Sequence, residues 1–437
     1  MPKLTRLVSL SYLLFICTLA LAAPPAKSKP KLPPATPTKL LEVVVHGNSR
    51  YTTDQILAAW GLKLGDTVEK PTLDTAIQNL GAVGVFTDAQ YTYSFDRTGT
   101  KVDLQVSESD KLIPVRFQNF VWFRDADLLD KLKQRVPLFQ GLLPASGSIS
   151  ADVSDALQTL LIENKLPGHV SYIDSAALQG AVDAVDFTVT GVNFPIRNLD
   201  FPGASPANAT ALAAATQNLH GTEYSYSKIA ANVRLAVLPV YQERGYLRAH
   251  LVEAVPTVVS QSDQEIPVDV AVRIAPGNVY QLSAIHWVGN SVFPTSSLQQ
   301  KIELQPGHPA NAVRLQDNLR EVQKLYGARG YMASSVKVDP AFDDAHSSVV
   351  YTLLVSEGDQ YHMGEVEVTG LDAKTTRLAR ESWRLREGEP YDGSYFQTFM
   401  KQILETLDAA RSLHVSLKES LNSAEKTVDV TLTFSPQ

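Results

Sequence analysis

A short apolar strand that ends in glycine recurs along this chain, and a helix running into an Arg-Gly-Tyr triplet follows it. Two of the strand-ending glycines, Gly289 and Gly370, lie 81 positions apart, and Gly47 lies 242 positions before Gly289, close to three such periods. The triplet occurs as Arg244-Gly245-Tyr246 and again as Arg329-Gly330-Tyr331. Self-similarity at a fixed period indicates an array of similar modules. A single large catalytic domain is therefore not the first expectation.

The repeat that contains Gly289 shows its internal order most clearly. Residues 281–288 alternate apolar and polar side chains, as a half-buried strand does. A helix is predicted over 312–328 because one apolar stripe runs along it, formed by Leu315, Leu319, Val322 and Leu325. A shorter helix before it and two strands after it, at 332–338 and 348–355, complete the order strand, helix, helix, strand, strand.

Two kinds of helix-end signal recur with this order. Thr52 with Gln55, and Ser296 with Gln299, have the spacing of a capping box and predict the first helix of two modules. Gly245 and Gly330 stand where a helix should end, and glycine tolerates the left-handed conformation needed there. The adjoining tyrosines are expected to be packing residues rather than ligand contacts.

The predicted fold class is α+β, with tandem β-α-α-β-β modules that each place a three-stranded mixed sheet under two helices. Hydrophobic residues at 44% and charged residues at 19% are typical of a globular chain. Short connections between modules favour an elongated array. The predicted segments are a signal peptide (1–22), a Pro/Lys-rich linker (23–39) and five modules (40–109, 112–191, 194–276, 279–358 and 361–437).

The first residues of the chain indicate export. Lys3 and Arg6 precede an apolar run that closes on Ala20-Leu21-Ala22, the pattern of a cleavable signal peptide, with a retained anchor as the alternative. Cys17 is the only cysteine and lies inside this run, so the mature chain can form no disulfide. Residues 23–39 hold six prolines and four lysines and predict an extended spacer. Contact of these lysines with an anionic membrane surface is kept as a second interpretation.

Sequence motifs give no support for an enzyme. The nine histidines are scattered, and neither a His-x-x-x-His pair nor a nucleophile elbow nor a phosphate loop occurs. We therefore expect no catalytic residue, no cofactor and no metal. Asp125 and Asp127 are expected to cap a helix. The formal charge of −7 becomes about −9 without Lys3 and Arg6, which argues against a nucleic-acid partner.

The array resembles polypeptide-transport-associated (POTRA) domains, the modules that form the periplasmic arm of outer-membrane protein assembly factors and of two-partner secretion transporters. The resemblance covers roughly residues 40–437 and rests on Gly47-Asn48, Gly289-Asn290, a Leu-x-x-Gly break and the Arg-Gly-Tyr triplets. The sequence ends at Gln437, directly after module five, so the expectation is an arm without the barrel that follows it in that family.

The resemblance implies that the second strand of each module lies at a sheet edge. Such an edge presents unpaired N–H and C=O groups, to which an extended segment can add as a strand. Module three is the favoured site because its predicted strand, 247–255, is long and carries few charges. The predicted binding residues are Leu247, Arg248, Ala249, His250, Leu251, Val252 and Glu253. The alternative is that charges and Pro256 protect this edge from pairing.

The function expected from the resemblance is that of a non-enzymatic, periplasmic scaffold that binds polypeptide by strand addition and assists outer-membrane protein assembly. Its expected partners are unfolded outer-membrane protein segments, an outer-membrane barrel protein or other envelope proteins. Two alternatives stay open at this point, an accessory of two-partner polypeptide secretion and a cell-envelope or division scaffold.

Overall fold

The computed structural model describes residues 37–176, 182–406 and 413–436. The predicted signal peptide, and the linker as far as residue 36, lie outside the described residues. The chain divides into two compact bodies, one ending at Ser109 and the other beginning at Asp110. The first strand already begins at Thr38, so the predicted end of the linker at residue 39 falls inside that strand.

Modules one and two each contain four strands and two helices. The elements of module one are β1 (Thr38–His46), α1 (Thr53–Trp60), β2 (Thr67–Val68), α2 (Lys70–Ala82), β3 (Phe86–Phe95) and β4 (Thr100–Glu108). Those of module two are β5 (Leu112–Phe117), α3 (Asp125–Arg135), β6 (Leu142–Pro144), α4 (Ile149–Glu163), β7 (His169–Ala176) and β8 (Val182–Thr190).

Module three has three strands and the most irregular helices. Its elements are β9 (Ile196–Asp200), α5 (Pro206–Thr216), α6 (Tyr226–Asn232), α7 (Leu238–Gln242), β10 (His250–Val258) and β11 (Val268–Ala275). A π-helical turn, Val233–Val237, joins α6 to α7. Pro239 lies just after this turn and has no N–H to donate to a regular helical ladder.

Modules four and five repeat the order that the sequence predicted. Module four consists of β12 (Gln281–Val288), α8 (Thr295–Gln299), α9 (Ala312–Gly327), β13 (Ser335–Asp343) and β14 (Ser348–Ser356). Module five consists of β15 (His362–Thr369), α10 (Ala373–Ser382), α11 (Tyr395–Thr406), β16 (Leu413–Asn422) and β17 (Thr427–Pro436). No helix of the described segments is long and apolar enough to cross a bilayer.

All five sheets have one topology, in which the last strand of the module is central. This strand pairs in parallel with the first strand and antiparallel with the second long strand of the module, as in the order β12-β14-β13 of module four. In modules one and two the second long strand is β3 or β7. The second strand is therefore at an edge, as the resemblance implied. The α+β fold class with tandem POTRA-like modules is confirmed, although the sheets of modules one and two have a short fourth strand.

The other edge of each sheet, formed by the first strand, is partly covered by another segment of the same module. The segment between the two helices pairs with the first strand, as β2 on β1 and β6 on β5. In modules three to five the same contact is a single bridge at the start of the first strand: Pro195 with Glu223, Gln281 with Pro309 and His362 with Pro390. The second strand is thus the edge that a partner can reach with a long unpaired row.

Helix α9 shows how the apolar stripe becomes a core. Leu315 and Leu319 are buried in one cluster with Val349 and Leu353 of the sheet. Val322 and the fully buried Tyr326 belong to a second cluster. Burying each such side chain stabilises the module by about 1.5–3 kcal/mol.

One of the two predicted capping boxes is correct. Thr52 accepts from the backbone N–H of Gln55, and the Gln55 side chain accepts from the N–H of Thr52. The box at Ser296 is wrong, because α8 begins one residue earlier at Thr295 and Pro294 occupies its N-cap. The prediction that Asp125 and Asp127 cap α3 is also wrong, since both lie inside its first turn.

The Arg-Gly-Tyr triplets form the junctions between modules three, four and five. Gly245 and Gly330 have left-handed φ values, +86° and +84°, and end α7 and α9 as predicted, because the N–H of the following tyrosine donates back to the carbonyl oxygen of Tyr241 or Tyr326. A Cβ on Gly330 would lie 2.4 Å from the carbonyl oxygen of Tyr361, and one on Gly245 would lie 2.9 Å from that of Tyr280. These glycines are therefore required for close approach to the next module.

Candidate polypeptide-binding edges

The residues predicted for binding in module three divide between a junction and a strand. Because β10 begins at His250, Leu247, Arg248 and Ala249 precede it, which corrects the prediction of a strand from residue 247. Leu247 packs on the core of module four, and Ala249 is buried. Arg248 lies 3.0 Å from Asp344 and places its guanidinium 4.4 Å from the ring centre of Phe342. Leu247 and Arg248 thus contact module four.

His250, Leu251, Val252 and Glu253 do belong to the edge strand, and their N–H directions follow from its register. The N–H of Val259 donates to the carbonyl oxygen of Pro267. From Glu253 onward, the backbone N–H and C=O groups of odd-numbered residues therefore point toward β11. The backbone groups of Ala254, Pro256 and Val258 consequently point away from β11, toward the open edge. The register shift between Leu251 and Glu253 places a bulge at Val252, and Leu251 then faces outward.

The open edge of β10 is therefore short. Pro256 stands at an outward position and has no N–H, so the row of donors is interrupted after Ala254. Glu253 is held by Arg273 at 3.0 Å on the neighbouring strand. A bulge and an edge proline are the devices by which natural sheets limit pairing with other chains.

Modules two and four protect their edges as well. The N–H of Val170 in β7 faces outward, where it donates to the side-chain oxygen of Gln158 at 2.8 Å. In β13 the register with β14 makes even-numbered residues face outward, and Pro340 is one of them. Each of these edges thus loses at least one group that a partner strand would need.

Module one presents an edge that is uninterrupted from Ala89 to Phe95, after a bulge at the start of β3. Ser109 donates its N–H to the carbonyl oxygen of Val85, which fixes the alternation along β4 and β3. Four residues of β3 then face outward with free N–H groups: Ala89, Tyr91, Tyr93 and Phe95. The three aromatic rings follow one another at 6.0 and 6.2 Å between centres, and Phe95 is 53% exposed.

Module five presents a second uninterrupted edge. The N–H of His362 donates to the carbonyl oxygen of Lys426, so the odd-numbered residues of β17 face β16. The backbone N–H groups that point outward along the edge of β16 are those of Leu413, Val415, Leu417, Glu419 and Leu421. This strand has ten residues, no proline and no bulge. The side chains of the first three of these residues pack on the module's core, while the side chains of His414, Ser416, Lys418 and Ser420 are exposed.

A cavity of about 480 Å³ lies beside the short edge of module three. One wall is β10 from Val252 to Pro256, and the other is the segment between β5 and α3 of module two. This segment contributes Phe120, Trp122 and Phe123, and Tyr224 and Tyr226 of module three complete the aromatic lining. We call it the Trp122 pocket. No sequence motif predicted this pocket, although the run Phe117–Phe123 is unusually rich in aromatic residues.

A hydrogen-bonded clamp holds the two walls of this pocket together. The backbone N–H of Tyr226 donates to the carbonyl oxygen of Gln118 at 2.7 Å, and the side chains of Gln118 and Ser227 meet at 2.8 Å. Trp122 also packs edge-on against Phe194, with ring centres 5.5 Å apart. The pocket is thus a built feature of the contact between modules two and three.

The titratable groups of the pocket respond to its apolar walls. Reduced hydration among the aromatic rings raises the pKa of the Asp125 carboxyl, and burial raises the pKa of Tyr224. The described parts of the chain contain no cluster of three or more His, Cys, Asp or Glu side chains that could hold a metal ion.

Comparison with known proteins identifies module four. Residues 280–358 match the family model POTRA, surface antigen variable number repeat. The chain is a tandem array of POTRA-like modules. It resembles the periplasmic arm of outer-membrane protein assembly factors, as the sequence motifs predicted.

Two curated relatives carry assembly-factor names. A putative outer membrane protein assembly factor of Treponema pallidum is 23% identical over 171 residues, which are 39% of this chain and 20% of that protein. The outer membrane protein assembly factor BamA of Neisseria meningitidis is 19% identical over 373 residues, 83% of this chain and 46% of that protein. The POTRA-like array thus spans between a fifth and about half of these relatives.

Solved POTRA structures are also similar to this chain. The crystal structure of Haemophilus influenzae BamA POTRA3-5 has 18% sequence identity, covers 56% of this chain and 96% of that one, and aligns with a TM-score of 0.43.

Proposed function

We propose that this POTRA-like array binds extended polypeptide segments by strand addition and so assists the assembly of outer-membrane proteins. The observation that carries the proposal is the pair of uninterrupted edges on β3 and β16. Main-chain hydrogen bonds would supply the affinity, and this mode of binding requires no special residue types. The assembly-factor names of both curated relatives support the assignment to outer-membrane proteins.

The class of segment follows from the two faces of β16. On one face its side chains are mostly apolar and continue the core, and on the other they are polar. A strand added to this edge would meet the same two environments, so it should alternate apolar and polar residues. Strands of outer-membrane proteins have this alternation. The proposed location is the periplasm, in association with the outer membrane.

The edge of β10 belongs to the proposal as a shorter site. It offers the N–H groups of Leu251 and Ala254 and the carbonyl of Pro256, so it can hold only a few residues by backbone pairing. Selectivity there would have to come from side chains. Module three would therefore act in addition to modules one and five, not in place of them.

Proline substitution tests the proposal at both long edges. Ala89→Pro and Val415→Pro each remove one outward donor, and Pro256 and Pro340 show that this fold accommodates proline at such positions. The controls keep the donor and change only the side chain: Ala89→Val for the first and Val415→Ala for the second. A labelled peptide of alternating threonine and valine serves as the probe, and fluorescence anisotropy measures its binding to the full chain.

We expect each proline variant to lose one class of binding site and the double variant to bind at least roughly tenfold more weakly, because several backbone hydrogen bonds depend on an unbroken row. The two control variants should lose far less affinity. Wild-type binding by a double proline variant that circular dichroism shows to be folded would refute strand addition at these edges.

A further inference from the structure

The Trp122 pocket contains a charged group with no partner. Asp125 makes no hydrogen bond and no ion pair with any described residue, whereas the other charges at the rim are compensated. Arg124 binds Asp127 through two hydrogen bonds of 2.9 and 3.0 Å, and Glu253 pairs with Arg273. The rim therefore carries one uncompensated negative charge.

Trp122, which lines the pocket, has a polar group without a partner in the described part of the chain. The indole N–H of Trp122 is buried and has no partner among the described residues. A buried donor without an acceptor costs free energy, roughly that of a lost hydrogen bond.

The walls favour a particular kind of cation. Aromatic rings attract cations through their faces, and a guanidinium additionally stacks on them because it is planar and weakly hydrated. Phe117 also lines the pocket, so six aromatic residues and the unpaired carboxylate of Asp125 together form an acidic aromatic cage. Backbone groups of Ala254 and Pro256 lie along the same cavity, next to the place where a segment paired with β10 would run.

From these features we infer that the Trp122 pocket binds the side chain of an arginine carried by an extended polypeptide segment. The inference rests on the proposed function only for the polypeptide that carries the arginine. Module three then recognises a side chain of the bound segment, whereas modules one and five bind its backbone.

A probe without a strand separates this inference from the proposed function. N-acetyl-arginine methylamide carries the guanidinium and two amide carbonyls but is too short to form a strand, and the matching citrulline derivative is its neutral isostere. The chain has four tryptophans, so its ¹⁵N-labelled indole groups give few resonances. The indole resonance that disappears in the Trp122→Phe variant is assigned to Trp122.

We expect the arginine probe to shift the Trp122 indole resonance saturably and the citrulline probe to shift it little. Asp125→Asn should abolish the difference between the probes. Asp130→Asn, on the same helix and 76% exposed at its side chain, should preserve it.

Three outcomes would overturn the inference: no response of Trp122, equal responses to the arginine and citrulline probes, or an arginine preference that survives Asp125→Asn. Equal responses would identify a neutral occupant. None of these outcomes bears on β3 and β16, so the proposed function would stand or fall separately.

Discussion

The backbone N–H of Tyr361 donates to the carbonyl oxygen of Gly330 at 2.8 Å, joining module five to module four. Tyr280 makes the equivalent 2.8 Å hydrogen bond to Gly245 between modules four and three. In both cases the residue after the triplet's tyrosine, Met332 or Leu247, packs on the core of the next module. The repeated Arg-Gly-Tyr sequence is thus a junction motif.

Replacing Gly330 with alanine should loosen the junction of modules four and five. A Cβ there would lie 2.4 Å from the carbonyl oxygen of Tyr361, a distance that requires the two modules to move apart. Hydrogen exchange, followed by mass spectrometry, should speed up in the peptide that contains Tyr361.

The matched control for this substitution is Gly307→Ala. Gly307 has almost the same φ, +81°, but a Cβ at this position would meet no atom within 4 Å beyond its chain neighbours. Both variants carry the strain of a left-handed alanine, about 1 kcal/mol, and only Gly330→Ala carries the clash. Equal exchange at Tyr361 in the two variants would contradict the role of Gly330 in close approach.

Glu357→Gln should destabilise module four in a pH-dependent way. The carboxylate accepts the N–H groups of Ser291 and Val292 and the hydroxyl of Tyr326, at 2.7–2.8 Å. Burial opposes its ionisation, but these hydrogen bonds outweigh burial and hold the pKa of Glu357 below its usual range. We expect a loss of roughly 1 kcal/mol at neutral pH, measured by urea unfolding.

The sign of the pH effect follows from the lowered pKa of Glu357. The folded state binds its proton less readily than the unfolded state, so the carboxylate stabilises the fold fully above the unfolded pKa, about 4.3. This stabilisation disappears as the pH falls through that value toward the lower folded pKa. The stability difference between wild type and Glu357→Gln should therefore shrink below about pH 4, and a constant difference would disprove this origin.

Pro256→Ala should extend the short edge of module three. The substitution restores an outward N–H between those of Ala254 and Val258, so the row of donors becomes continuous. Binding of the alternating threonine–valine peptide should gain an additional site, detectable as a higher stoichiometry. Thr257→Ala is the control, because its N–H faces β11 in both proteins; an equal gain there would show that proline is not what limits pairing.

Local patterns predicted the repeated elements well because each module builds its core from its own apolar periodicity. Residues 281–288 form a strand with those bounds, and the helix predicted over 312–328 ends one residue early. The Ser296 capping box failed because Pro294, with its extended backbone, competes for the N-cap. A short motif cannot show which of two nearby residues becomes the N-cap.

The candidate sites depended on information that no local pattern holds. Whether an N–H faces outward is set by register, and one bulge at Val252 reverses the alternation along β10. His250 and Val252 are among the residues that the sequence predicted for binding, whereas the register turns the N–H groups of Leu251 and Ala254 outward. The Trp122 pocket joins residues more than a hundred positions apart, so only the packing of two modules reveals it.

Hydrogen exchange resolved to single amides along β16 tests strand addition most directly. On binding the alternating peptide, the outward N–H groups of Val415, Leu417 and Glu419 should exchange more slowly. The intervening residues already donate to β17 and should change little, so slowing should occur at every second residue. Peptide binding that leaves these three amides unprotected, or that slows all residues equally, would contradict the account.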